Sequence, residues 1–223
     1  MRGFFNEREK MRVLKKLIQV GFLLIGMMQI LHAEQKKDPA VKVEVVLAAM
    51  NKGDTAAAIQ YLMPLAKSGH AEAQFMLVSV LRATDQKQAN EWLIMAAKNK
   101  YPDACHVLGL MYLDGNGMPQ DKVEGEKLLR CAADGGAPGA QVALGMLYRN
   151  GATTSGKRDD EQAAELFKKA VDQGNPEAQL RLAEMYRYGY GVKKDHAEAV
   201  RLLRLSLKQG NMEAQKMLSE MGQ

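Results

Sequence analysis

Five alanines, Ala73, Ala104, Ala140, Ala178 and Ala214, stand at intervals of 31, 36, 38 and 36 residues, and the apolar pattern after each repeats. Four positions on is Leu77, Leu108, Leu144, Leu182 or Leu218, followed at once by a small or slim residue, Val78, Gly109, Gly145, Ala183 or Ser219. Eight positions after the alanine come Leu81, Tyr112, Tyr148 and Tyr186. These offsets fall on one face of a helix with 3.6 residues per turn. A second helix precedes each alanine. Nineteen positions upstream stands Asp54, Asp85, Asp121, Asp159 or Asp195, and three residues later come Ala57, Gln88, Glu124, Gln162 and Glu198. An aspartate followed at that distance by Glu or Gln starts a helix, because its carboxylate accepts from the free backbone N–H groups of the first turn. Recurrence in every unit marks these aspartates as caps rather than catalytic acids. The second helices bury pairs such as Trp92/Leu93, Leu128/Leu129 and Leu166/Phe167, and end near Gly69, Gly136, Gly174 and Gly210, with Lys100 in the glycine's place. Tyr101-Pro102 and Asn175-Pro176 open new units, since proline suits a first helical turn.

A helical hairpin of about 36 residues cannot hide its apolar face alone, so copies must stack. The expected fold is all-α: a right-handed α/α solenoid of about five repeats and roughly eleven helices. The units fall near 40–69, 70–101, 102–137, 138–175 and 176–211, with a lone terminal helix at 212–223 whose outer face is a candidate for self-association.

The best copies read LGLMYLDGNGMPQD within residues 102–137 and LAEMYRYGYGVKKD within 176–211. With the Gly-Asn-Pro-Glu-Ala-Gln join at 174–179, this pattern resembles the Sel-one-like repeat family, a branch of the tetratricopeptide-like solenoids, over residues 55–223. Two departures are a shortened inter-helix loop at 82–85 and a lengthened one at 151–160. The resemblance implies a scaffold that binds another protein and has no chemistry of its own. Cysteine-rich relatives imply an alternative, a β-lactam or cell-wall-directed hydrolase or binder. Their bridges use a short spacing across joins between units; Cys105 matches one half of it, but Ala97 stands at the partner position, which puts that alternative in doubt.

Composition adds a compartment. The formal charge is +5, but residues 1–33 hold six Lys/Arg against two Asp/Glu, leaving 25 against 24 in the rest. The repeat region is therefore electrically balanced, and a basic field for nucleic acid is not expected. Arg2, Arg8, Lys10, Arg12, Lys15 and Lys16 precede an uncharged run from Leu17 to Leu31 and the small residue Ala33. This reads as a secretory signal peptide at 1–33, started at Met1 or Met11 and cut after Ala33, then a short linker at 34–39 and the solenoid at 40–223. The expected location is periplasmic or secreted. An uncleaved anchor is the competing reading, although the run is shorter than the roughly 20 residues of a membrane span.

Little points to chemistry. Gly151-Ala152-Thr153-Thr154-Ser155-Gly156-Lys157 matches seven places of a phosphate-binding loop, but Arg158 stands where Ser or Thr should be and no strand precedes it. His70, His106 and His196 lie in different units without metal-ligand spacing, so no metal, cofactor or catalytic residue is expected. Cys105 and Cys131 lie at similar levels of one hairpin that turns near residue 118; a disulfide and two separate thiols both remain open. Positions two, six and nine after each alanine should face away from the Leu/Tyr stripe. There stand Phe75, His106, Val142 and Leu180, then Leu110 and Met146 beside Ser79 and Glu184, then Arg82, Leu113, Arg149 and Arg187. An apolar groove with an arginine row would suit an apolar, acidic segment of another protein.

Overall fold

Residues 41–223 are described by a computed structural model. The signal peptide and linker expected from sequence lie outside the described residues. Eleven helices follow one another: α1 (Val43–Asn51), α2 (Thr55–Lys67), α3 (Ala71–Leu81), α4 (Gln86–Lys98), α5 (Pro102–Asp114), α6 (Lys122–Asp134), α7 (Pro138–Asn150), α8 (Asp160–Asp172), α9 (Pro176–Tyr188), α10 (His196–Lys208) and α11 (Met212–Glu220). Packing runs between consecutive helices, and α5 also touches α7. This is the neighbour-only pattern of an all-α solenoid. No strand occurs among the described residues.

Local chemistry sets the helix boundaries. Each cap aspartate accepts from the backbone of the first turn: Asp54 from Ala57, Asp85 from Gln88, Asp121 from Val123 and Glu124, Asp159 from Gln162, and Asp195 from Glu198. The four glycines that follow second helices have positive φ, and Lys100 adopts φ 58° in the equivalent place. The five repeat alanines are fully buried, together with Leu77, Leu108, Leu144, Leu182 and Leu218. Helices α5 and α6 approach so closely that a Cβ on Gly125 would lie 2.9 Å from the Gly109 carbonyl and 2.8 Å from Leu113.

A hydrogen-bonded latch recurs beside this core. The Gln74 amide donates to the Ala66 carbonyl at 3.0 Å and accepts from Asn99 at 2.9 Å. Two units later, Gln141 donates to the Ala133 carbonyl at 3.3 Å and accepts from Gln173 at 3.0 Å. In the next unit Gln179 accepts from Gln209 at 3.0 Å. Each latch ties the start of a first helix to the residue that ends its own second helix. In the α5–α6 unit the two places hold Cys105 and Gly135.

Candidate protein-interaction site

The first helices of successive units, α3, α5, α7 and α9, carry the expected groove residues, but the stack uses them unevenly. Val142 is 7 % exposed and Leu180 is 0 % exposed, so both belong to the core and not to a groove. The physical reason is that a first helix inside a stack has neighbours on two flanks as well as its hairpin partner, which widens its buried arc beyond one face. Position two therefore falls at the flank. Phe75 packs against Tyr101 with the rings tilted and their centroids 5.3 Å apart. The His106 ring lies 2.7 Å from where a Cβ on Gly139 would stand, so that glycine makes room for it. Burial lowers the His106 pKa, against the opposing pull of Asp103. Leu113 leans on Gly125 inside its own hairpin.

The arginine row is also partly spent. Arg149 pairs with Glu184, and Arg187 pairs with Glu220 at 3.0 Å. In both cases position nine of one unit meets position six of the next. Glu184 also receives Arg181, which reaches Glu177 and Glu213. These half-buried pairs form a ladder across α7, α9 and α11, so Arg149 and Arg187 are not free to meet an acidic partner. An open pocket of about 380 Å³ beside the ladder is lined by Met146, Arg149, Asn150, Arg158, Arg181, Glu184 and Tyr190. Its guanidiniums are already matched, since Arg158 pairs with Asp160 at 2.8 Å and lies over the Tyr190 ring.

The same register treats Arg82 differently. Its counterpart at position six of the next unit is Leu110, where later units carry Met146 and then Glu184 and Glu220. Arg82 is exposed and makes no ion pair among the described residues, while Leu110 and Met146 are half-buried. At position six the first helices thus change from apolar on α5 and α7 to acidic on α9 and α11.

The remaining candidates take structural roles. His70 caps α3 through Nδ1, which accepts from the Ala73 N–H at 3.4 Å. The phosphate-loop-like segment is tied down by a carboxylate, because the Thr154 N–H donates to Glu126, which also holds Arg130. An anion is thus already in place where a phosphate would have to bind. Cys105 and Cys131 are free thiols with sulfurs 3.0 Å apart. Burial, then the neighbouring Cys131, pushes the Cys105 pKa up to about 12. On α11 the exposed side chains are polar apart from Met212, so that helix offers little apolar surface to a second copy. No cluster of three or more potential metal ligands occurs among the described residues, and none of their helices is long and apolar enough to cross a membrane. The recurring latch and the ion-pair ladder were not foreseen from sequence, although Gln at the first position after the alanine in four of five units was the visible trace of the latch.

Sequence and fold comparisons agree on the relationship. The Sel1 repeat pattern matches residues 78–101, 102–136, 138–175 and 176–211. A Sel1 repeat protein from Oxalobacter formigenes has a similar structure, with TM-score 0.68 and 38 % identity over 75 % of this chain and 49 % of that one. A protective antigen from uropathogenic Escherichia coli strains, with an SLR fold, is similar at TM-score 0.65 and 32 % identity, over 73 % of this chain and 36 % of that one. The alignments therefore span about half of the first protein's length and about a third of the second's. No curated protein sequence matches the chain.

Proposed function

The chain belongs to the Sel1-repeat family, whose stacked hairpins are scaffolds for protein–protein contact, and on that premise we propose that it is an exported, non-catalytic adaptor of the bacterial cell envelope. Its binding surface is the ledge formed by Leu110 and Met146 with Arg82 at its edge. The observation that carries this reading is the break in the ladder: where α9 and α11 carry Glu184 and Glu220, α5 and α7 carry half-exposed apolar side chains. The matching partner segment is apolar and carries a carboxylate that meets Arg82, which has no acidic mate in the described chain. Affinity in such contacts comes from a few desolvated anchors, with the charge adding orientation.

Export is supported by the basic start and apolar run of residues 1–33. Cell fractionation followed by mass analysis of the N-terminus checks it; a mature chain beginning at Glu34 is expected, and an intact Met1 in the membrane fraction overturns it. For the ledge, a partner captured with mild crosslinking should bind Leu110→Asp and Arg82→Glu at least about tenfold more weakly, the equivalent of about 1.4 kcal/mol, and the exposed Arg82→Glu should keep the parent melting temperature. Unchanged binding removes the ledge from consideration. Turnover of a chromogenic β-lactam by the purified protein would instead favour the hydrolase reading.

A further inference from the structure

We propose that Cys105 and Cys131 are an oxidation site at which an external disulfide installs an intramolecular bridge, and that this bridge replaces the hydrogen-bonded latch that the α5–α6 unit lacks. Three units tie the start of the first helix to the end of the second through Gln74–Asn99, Gln141–Gln173 and Gln179–Gln209. In the α5–α6 unit the glutamine position holds Cys105, and the helix-ending position holds Gly135. A Cβ at Gly135 would lie 2.6 Å from Pro102 Cγ, so a larger residue there would require the proline to shift. With glycine there, the second helix offers no polar side chain at that position, and a glutamine on the first helix would lack its mate.

The thiols take over the same geometry. Cys105 donates to the Ala97 carbonyl at 3.5 Å, as Gln74 donates to Ala66 and Gln141 to Ala133. Its other neighbour, in place of Asn99 or Gln173, is the Cys131 sulfur at 3.0 Å, one helical turn before Gly135. The equivalent positions in other second helices hold Pro64, Met95, Lys169 and Leu205, so the thiol on this side occurs only where the amide is missing. The tight approach of α5 and α6 at Gly109 and Gly125 brings the sulfurs together.

Exposure sets the order of the reaction. Cys131 is half-buried and Cys105 is fully buried. The Cys131 thiolate attacks one sulfur of the donor disulfide, the donor's S–S bond breaks, and its first thiolate leaves. Cys105 then loses its proton and attacks the Cys131 sulfur, forming the internal bond as the second donor thiolate departs. The protein gives up two electrons and two protons, and the donor is reduced to two thiols.

The full chain, purified reduced, is incubated with glutathione disulfide, alkylated under denaturing conditions and weighed. The expected product has no alkylatable thiol and has lost two hydrogens. Trypsin should release residues 101–122 linked to residues 131–149, and the oxidised protein should melt several degrees higher. Cys105→Ala should stop at a stable glutathione adduct on Cys131, whereas folded Cys131→Ser should stay unmodified. Two alkylatable thiols in the treated parent protein overturn the proposal, whatever the variants do. A Cys131→Ser chain that takes up glutathione as fast as Cys105→Ala overturns the order of attack.

Discussion

Lys100 stands alone among the described non-glycine residues in adopting positive φ, at the turn where four sister units place glycine. A side chain in that left-handed region costs about 1–2 kcal/mol, because Cβ crowds the following carbonyl. Gly69, Gly136, Gly174 and Gly210 avoid that cost at the same turn, and Lys100 is exposed and makes no side-chain hydrogen bond among the described residues to offset it. Lys100→Gly should therefore raise stability by about 1 kcal/mol, after allowing for the greater freedom of glycine in the unfolded chain. The denaturant midpoint measures it, and an unchanged or lower midpoint would mean that the lysine stem packs usefully over the turn. The strain was readable in advance, because the glycine column of the repeat has one gap.

Among the elements, the lengthened α7–α8 loop depends most on a single side chain. Glu126 on α6 is 4 % exposed, and burial alone would raise its pKa, but the Thr154 N–H and the Arg130 guanidinium outweigh burial and hold it below the ordinary carboxylate value. A carboxyl depressed in the folded state contributes stability that is complete above its unfolded pKa and drains away as pH falls through the folded pKa. The loop should accordingly stay docked at neutral pH and loosen in acid below about pH 4.5, the unfolded-state region for glutamate. Glu126→Gln keeps an acceptor for Thr154 but loses the charge facing Arg130, and should cost about 1–3 kcal/mol while flattening that acid limb. Tryptic cleavage after Lys157 and Arg158 reports the same event locally: it should quicken in the variant at pH 8, and an unaltered cleavage rate would mean that the loop is held by other contacts.

Across the whole molecule, the repeat made the helices, caps and core leucines legible, because each depends on residues less than 20 positions apart. The interaction surface was harder to read. A helical wheel gives each first helix one buried face, whereas stacking buries Val142 and Leu180 from the flank and pairs Arg149 with Glu184, 35 residues away, and Arg187 with Glu220, 33 away. Such contacts depend on the register between units, which periodicity within a unit does not display. The cysteine pair was the exception, since a hairpin alone brings its two levels together. The same neighbour-only packing makes stability graded along the axis. Helix α1 buries only Val46 and exposes Val43, Val45, Leu47 and Met50, whereas α6 through α10 are buried on both flanks. Amide exchange followed by mass spectrometry should find α1 and α2 opening first, α11 next and α5 to α8 last, with the α1 amides exchanging at least tenfold faster than those of α7. Equal protection from α1 to α8 would instead show that something outside the described residues covers the apolar side chains of α1, and that the solenoid unfolds as one unit.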